Sequence, residues 1–228
     1  KDNEQHYPHQ TSWGVSTRLI GGIIMTHGDD NGLILPPAIA PIQVVIIPIA
    51  QHKEGVLEKA GELFKELKKD FRVKFDDTDN SAGWKFSEYE MKGVPVRLEI
   101  GPKDIENGQC VLVSRHNREK TIVKLDNLKE EIVKKLQEVH DGLYNKALDN
   151  RENRTWVATT LDEMKKIADE NNGFIKAMWC GDVECEEKLK EYAGVSSRCM
   201  PFEQEQLSDK CVCCGKPAKK MVYWGKAY

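Results

Sequence analysis

Residues 43–49 constrain the fold of this chain most, because this β-branched run is followed at once by a helical pattern and a second strand pattern. Between Val56 and Leu67 the apolar residues recur at spacings of three and four, the period of a helix with one buried face. Residues 71–75 then alternate apolar and basic side chains, as a strand does. A strand, a helix and a strand in this order predict a parallel pair of strands joined by a crossover helix.

The pattern that follows completes a mixed α/β domain. Residues 94–100, Gln109–Ser114 and residues 121–125 have the composition of strands. A long helix is predicted from Leu128 onward, with an apolar stripe at helical spacing: Leu128, Ile132, Leu136, Val139 and Leu143. We expect residues 40–149 to form this domain.

A smaller unit is predicted after it. Residues 156–158 and 174–179 have the pattern of strands, and Thr160 begins a capping-box sequence that opens a helix between them. The chain ends on an apolar and aromatic run at residues 221–224, which a loose tail lacks, so we expect this run to pack on the unit. Residues 150–228 are therefore expected to form a small α/β domain. The fold class predicted for the chain is α/β and α+β.

Four of the seven cysteines form two close pairs. Cys180 and Cys185 are separated by four residues, Cys211 and Cys214 by two, and a glycine follows the second pair. Two such pairs on separate turns supply the four thiolates of a tetrahedral, structural Zn²⁺ site, and the glycine lets backbone amides turn toward the sulfurs. Cys213 is an alternative fourth ligand. Reduced thiols that bind no metal are the alternative to a zinc site.

Composition limits the classes of function. The 228 residues are 39% hydrophobic and 31% charged, as in a globular protein, and no apolar run is long enough to cross a membrane. A net charge of −3 does not favour nucleic-acid binding through bulk positive charge, although a local basic face stays open. The start of the chain has neither the apolar core of a signal peptide nor an initiator Met. We expect a cytoplasmic fragment of a longer protein, with its cysteines reduced.

Arg18 is the lone cation at the start of an apolar run, residues 19–25, which is predicted to be a buried strand or helix segment. A guanidinium beside small residues suits a wall that binds phosphates, because its planar fork takes two oxygens at once. The alternative is a surface arginine before a core segment, and spacing alone favours that alternative.

A second polar constellation follows Gly83. It contains acidic and basic side chains, among them Glu90, Arg97, Lys103 and Lys120. A carboxylate can accept the N1 and N2 hydrogens of guanine, and Arg or Lys can donate to O6 and N7, most readily on bases splayed from an RNA loop. The alternative is a solvated sheet edge of mixed charge, which spacing alone favours.

Five blocks stand in order along the chain: TSWGVSTRLIGGIIMTHGDDNGLILPP, GWKFSEYEMKGVPVRLEIGPKD, PFEQ, CGKPAKK and the terminal GKAY. Together they resemble the C-terminal part of a prolyl-tRNA synthetase of the archaeal and eukaryotic type, and the first two blocks are specific. The resemblance implies that residues 1–39 end an antiparallel class II catalytic domain and carry its motif 3. It implies that residues 40–149 form a mixed-sheet anticodon-binding domain and residues 150–228 a C-terminal zinc-binding domain.

The resemblance also implies roles for single residues. Arg18 would act catalytically on the phosphates of ATP, bound with Mg²⁺, with Ser16 and Thr17 beside the nucleotide. Trp13 and Gly14 would line the prolyl-adenylate pocket, and the terminal tyrosine would end near the active site. The residues that would read the two guanines of the proline anticodon are Glu90, Arg97, Lys103 and Lys120. The zinc ligands would be Cys180, Cys185, Cys211 and Cys214, with Cys213 as the alternative to the last.

The enzyme implied is a cytoplasmic proline–tRNA ligase that joins L-proline to tRNA(Pro) using ATP, as a homodimer formed through the catalytic domain. Motifs 1 and 2 and the proline-selecting loop are absent from these 228 residues, so the chain is not expected to activate proline by itself. A non-catalytic anticodon-domain RNA-binding or scaffold module is the alternative, and a synthetase for threonine, glycine or histidine is a more distant one. The motif 3 block argues against a pure binding module.

Overall fold

The computed structural model describes Pro8 and residues 10–226, and the chain divides into two compact units between Tyr144 and Asn145. The first unit is built on a five-stranded sheet in the order β2-β1-β3-β4-β5. Its strands are β1 (Val44–Pro48), β2 (Val73–Phe75), β3 (Val96–Ile100), β4 (Gln109–Ser114) and β5 (Lys120–Lys124). β1 is parallel to β2 and to β3, whereas β3, β4 and β5 are antiparallel in turn. The predicted parallel pair of strands is therefore confirmed.

Helices pack on both faces of this sheet. They are α2 (Val56–Leu67), α3 (Ala82–Met91), α4 (Pro102–Glu106) and α5 (Leu128–Glu152), the last preceded by a 3₁₀ turn at Leu125–Asn127. A further helix, α1 (Arg18–His27), precedes them in the chain and has no buried residue. The stripe predicted for α5 is buried and packs with α2 against Val44 and Ile46 of β1. Tyr89 of α3 packs with Val45 and Ile47 on the other face. All five residues of β1 are buried, which explains why this strand is apolar throughout rather than alternating.

The sequence patterns did not predict α3. Its buried face consists of Lys85 and Tyr89, which are one helical turn apart. Because one of the two residues that face the core is a lysine, the segment shows no apolar stripe of helical period. Ser81 caps the helix, since its hydroxyl accepts the main-chain N–H of Trp84 at 3.3 Å.

Residues 19–25 were expected to be a buried strand or helix segment. The prediction of burial is wrong. The segment is helical and belongs to α1, but none of the residues in α1 is buried. Leu19, Ile20 and Met25 are 60%, 61% and 77% exposed. Among the described residues no strand or helix packs over this apolar face, so hydrophobicity alone did not predict its exposure.

The second unit is a four-stranded sheet in the order β6-β7-β9-β8 with two helices. Its elements are β6 (Thr155–Val157), α6 (Leu161–Glu170), β7 (Phe174–Trp179), α7 (Val183–Ala193), β8 (Val195–Cys199) and β9 (Lys220–Lys226). The predicted capping box at Thr160 is present, with reciprocal bonds to Glu163. The apolar C-terminal run packs as expected, because it forms the central strand β9, whose Trp224 is fully buried. The sequence patterns missed α7 and β8. The terminal tyrosine lies outside the described residues.

In the described part of the chain, no helix combines the length and the apolar character that a membrane crossing requires.

Candidate nucleic-acid interface and metal centre

Glu90, Arg97 and Lys120 meet on the first unit, where they project from α3, β3 and β5. The Nη1 atom of Arg97 lies 3.1 Å from a carboxylate oxygen of Glu90, and its Nε atom donates to Glu99 at 2.9 Å. Lys120 Nζ lies 3.5 Å from the other carboxylate oxygen of Glu99. Strand register explains this convergence, because Arg97 is opposite Val113 and Val113 is opposite Lys120. Three of the four predicted guanine-reading residues are thus brought together.

This cluster combines fixed groups with groups that solvent can reach. The side chains of Arg97 and Glu99 are 10% and 11% exposed, whereas those of Glu90 and Lys120 are 26% and 60% exposed. The guanidinium of Arg97 also lies 4.0 Å from the centre of the Phe86 ring, a cation–π contact. The paired guanidinium is therefore held in place, while the more exposed carboxylate and ammonium can bond to a base edge.

The sequence analysis did not assign Glu99 to this cluster. The available signal was its position two residues after Arg97 on a strand, since side chains at that spacing point to the same face. Alternation of charged and apolar residues is normally typical of a half-exposed strand, yet every residue of β3 is buried. The mutual pairing of Arg97 and Glu99 makes this burial possible, because buried charges need partners.

Lys103, the fourth predicted guanine-reading residue, is exposed on α4. Its main-chain oxygen accepts the side-chain amide of Asn107 at 2.7 Å. Among the described residues its ammonium forms no salt bridge with a carboxylate of the cluster. Lys103 therefore stands outside the group that Arg97 organises.

Lys85 belongs to the same sequence block but has a different place. Its side chain is 1% exposed, and its ammonium donates to the side-chain oxygen of Gln51 and to the main-chain oxygen of Asp76, both at 3.0 Å. A lysine so enclosed cannot face RNA. Its role is to satisfy buried acceptors beneath α3.

The predicted nucleotide-binding segment precedes and opens α1. Trp13, Gly14, Ser16, Thr17 and Arg18 are all exposed, and the hydroxyl of Ser16 accepts the main-chain N–H of Arg18 at 3.3 Å. The N–H groups of Leu19 and Ile20 donate to the main-chain oxygens of Ser16 and Thr17 at 3.1 and 3.0 Å. The first turn of α1 thus has its N–H groups paired, and the exposed side chain of Arg18 is the group that can bind a phosphate. The described residues form no enclosed pocket at this position.

The four cysteines of the predicted metal site lie together in the second unit. Their sulfur atoms all lie within 4.8 Å of one another. Cys180 follows β7 directly, and Cys185 lies in the first turn of α7, whose N-cap is Asp182. Cys211 and Cys214 share a tight turn in which the N–H of Gly215 donates to the main-chain oxygen of Cys211 at 3.0 Å. The site is thus assembled from a strand end, a helix start and one turn.

The sulfur spacing fits a tetrahedral metal ion. The Sγ atoms of Cys180 and Cys185 are 3.7 Å apart, and those of Cys180 and Cys214 are 3.8 Å apart. Zn–S bonds of about 2.3 Å place the corners of a tetrahedron about 3.8 Å apart. Burial raises the pKa of Cys211, but main-chain N–H groups of Cys214 and Cys213 outweigh it and lower that pKa to about 7. Of the four cysteines, Cys211 is therefore the one whose surroundings favour the thiolate, the form that binds metals.

Cys213, the alternative fourth ligand, is not one of the four sulfurs grouped in this way. It is partly buried and packs against apolar residues of both hydrophobic clusters of the second unit. Cys185 is buried, and burial raises the pKa of its thiol.

The geometry can hold a metal ion with Cys180, Cys185, Cys211 and Cys214. Four sulfur donors in a tetrahedral arrangement are the ligand set typical of zinc.

Two regions of the chain match known families. Residues 43–135 match the family described as anticodon binding domain, and residues 161–228 match the family described as prolyl-tRNA synthetase, C-terminal. The cluster around Arg97 falls within the first match, and the four-cysteine site falls within the second.

Curated relatives match this chain from end to end. It is 66% identical over 228 residues to a proline–tRNA ligase of Clostridium novyi and 64% identical to one of Ruminiclostridium cellulolyticum. It is also 64% identical to proline–tRNA ligase 2 of Bacillus cereus. Each match includes 100% of this chain but 48% of the relative, so the chain spans about half the length of the curated relatives it matches. The archaeal and eukaryotic type of the resemblance stays a prediction.

Proposed function

We propose that this chain, which carries the anticodon-binding and C-terminal domains of the prolyl-tRNA synthetases, is the tRNA-recognising part of a proline–tRNA ligase. The complete reaction joins L-proline to tRNA(Pro) and converts ATP to AMP and diphosphate. The observation that carries the proposal is the cluster of Glu90, Arg97 and Lys120 on a domain that matches anticodon-binding domains. Identity of 60–66% to proline–tRNA ligases over the whole chain supports the choice of amino acid.

The chemistry of the cluster suits the guanines of a proline anticodon. Glu90 would accept hydrogens from N1 and N2 of one guanine, and Arg97 and Lys120 would donate to O6 and N7. Lys103, which stands outside the cluster, would supply the fourth contact of this set. Because Arg97 is already held by Glu90, Glu99 and Phe86, its fork needs little reorganisation to meet a base.

The segment before α1 would contribute to the ATP site. Arg18 would stabilise charge on the phosphates while the carboxylate of proline attacks, with Mg²⁺ bound to the nucleotide. Ser16 and Thr17 would lie beside the nucleotide, and Trp13 and Gly14 would line the prolyl-adenylate pocket. The exposed apolar face of α1 supports this role, because a catalytic domain would cover it. We propose three domains, residues 1–39, 40–149 and 150–228, and a homodimer formed through the catalytic domain.

The four-cysteine site would hold a structural Zn²⁺. Four thiolates fill all tetrahedral positions and leave none for substrate, so the ion would stabilise the C-terminal domain rather than take part in the reaction. Cys214 is the proposed fourth ligand because its sulfur is grouped with the other three. The described cysteines form no disulfide, and thiols are kept reduced in the cytoplasm, where we place the enzyme.

A chimeric enzyme tests the proposed function. In it, this chain replaces the matching 48% of the Clostridium novyi ligase. We expect the chimera to charge tRNA(Pro) with proline and not with threonine, glycine or histidine. A folded chimera that charges no tRNA, beside an isolated chain that still binds RNA, would favour the non-catalytic binding module instead.

A further inference from the structure

Arg115, directly after β4, is a buried arginine that the proposed function does not use. It is 4% exposed. Its Nη1 and Nη2 atoms donate to the two carboxylate oxygens of Asp29 at 2.8 and 2.6 Å, and its Nε atom donates to the main-chain oxygen of Glu90 at 3.0 Å. The guanidinium of Arg115 thus binds both the segment that contains Asp29 and the end of α3. A lysine lacks the planar set of donors that this geometry requires.

On one side, Arg115 holds the turn that follows α1. Asp29 and Gly32 close this turn through two reciprocal main-chain bonds of 3.0 Å. Gly32 has φ +125°, and a Cβ atom there would lie 2.5 Å from Cα of Met91. The N–H of Leu33 donates to the main-chain oxygen of Met91 at 3.0 Å. The turn is therefore docked tightly on the C-terminal end of α3.

On the other side, Arg115 holds Glu90 itself. The main-chain oxygen of Glu90, near the end of α3, accepts the N–H of Gly93 and the Nε–H of Arg115, both at 3.0 Å. The carboxylate of the same residue bonds to Arg97 at 3.1 Å. A continuous series of direct bonds therefore runs from Asp29 through Arg115 and Glu90 to Arg97.

We propose that Arg115 is a positioning residue for anticodon reading and that Asp29 is its required partner. Arg115 fixes the backbone of Glu90, and so the direction of the carboxylate that accepts from guanine, while Asp29 fixes Arg115. The turn after α1 then contributes, through Arg115, to the specificity of the RNA-binding surface. This inference rests on the proposed function, and it adds a contribution from the segment that carries Arg18.

The test measures binding of the 228-residue chain to two tRNA(Pro) transcripts, one unchanged and one with both anticodon guanines replaced. The variants are Arg115→Lys, Asp29→Asn and the double variant, with Arg118→Lys as the control in the same turn. Arg115→Lys keeps the charge and removes the fork, so affinity for the altered transcript should stay unchanged. We expect the preference for the unchanged transcript to fall about tenfold in both single variants, and no further in the double variant.

Each outcome has a distinct meaning. Equal preference in Asp29→Asn, Arg115→Lys and the unmodified chain would overturn the inference and leave the proposed function intact. An unmodified chain without any preference would overturn the proposed function and the inference with it. Additive losses in the double variant would show that the two residues act separately, which also contradicts the inference. If Arg115→Lys does not fold, as judged by circular dichroism, Asp29→Asn alone decides, because its substitution is isosteric.

Discussion

Lys85 and Asp76 form an ion pair inside the first unit, with 3.6 Å between ammonium and carboxylate and side chains that are 1% and 4% exposed. Removing one partner of such a buried pair costs about 3–5 kcal/mol, since the other charge is left without compensation. We therefore expect Lys85→Met to lower the free energy of unfolding of the chain by that amount, measured by urea denaturation.

A matched control for that variant lies at the C-terminal end of the same helix. Lys92 pairs with Glu88 at 2.6 Å, but its side chain is 52% exposed. Lys92→Met should cost under about 1 kcal/mol, because exposed pairs contribute little. Equal losses in the two variants would contradict the structural role assigned to Lys85.

The free energy of unfolding should depend on pH through the carboxyl groups of Asp29 and Asp76. Hydrogen bonds from Arg115 hold the pKa of Asp29 well below its usual value of 3.8. Burial raises the pKa of Asp76, but bonds from Thr78 and the charge of Lys85 outweigh it, so that pKa is lowered too. Groups whose pKa is lower in the folded state stabilise it above the unfolded pKa and lose this contribution as the pH falls.

The corresponding measurement compares urea midpoints of the unmodified chain and Asp29→Asn near pH 6 and near pH 3. We expect the unmodified chain to be the more stable at the higher pH and the difference to shrink at the lower pH, where the unfolded carboxyl binds a proton. A difference that stays constant between the two pH values would contradict the lowered pKa of Asp29.

The metal centre should bind about one Zn²⁺ per chain through four thiolates. Cys185→Ser, Cys211→Ser and Cys214→Ser should each lose the metal, measured colorimetrically after dialysis, while Cys213→Ser keeps it. A chelator should lower the thermal unfolding temperature of the unmodified chain, because metal binding contributes to folding. Retention by Cys214→Ser together with loss by Cys213→Ser would show that the fourth ligand was chosen wrongly.

Arg18 should matter for proline activation and not for folding. In the chimeric enzyme, Arg18→Ala should slow proline-dependent exchange between ATP and diphosphate by about 10²–10³, the usual effect of removing a group that stabilises transition-state charge. Lys65→Ala, an exposed lysine on α2, serves as the control. Normal exchange by Arg18→Ala would remove this residue from the ATP site.

Local periodicity predicted the elements whose buried faces are apolar. The bounds of α2, β4 and β7 follow from such patterns. α3 was missed because Lys85 occupies its buried face. α7 was missed because Leu189 is the one large apolar side chain among its buried residues, the others being Cys185 and Ala193. The exposure of α1 could not be predicted either, since apolar residues at helical spacing normally indicate a buried face.

The two sites differ in how far sequence could predict them. The four cysteines form two close pairs along the chain. Because such pairs are typical of zinc ligands, the sequence predicted that the four sulfur atoms lie together, as they do. Arg115 and Asp29 are separated by 86 positions and have no shared local pattern, so only the folded structure brings them together. The resemblance named Arg97 and Lys120, and strand register then explained why they are neighbours.

The most direct test of the central claim is the binding of this chain to unchanged tRNA(Pro) and to a transcript that lacks both anticodon guanines, at two salt concentrations. Salt weakens the contacts to phosphates, which both transcripts share, so at high salt the two affinities differ mainly through contacts to the bases. We predict tighter binding of the unchanged transcript at both salts, and loss of that preference in Glu90→Ala and Arg97→Ala, each by about 1–3 kcal/mol. Equal binding of the two transcripts by the unmodified chain would contradict anticodon recognition by this surface.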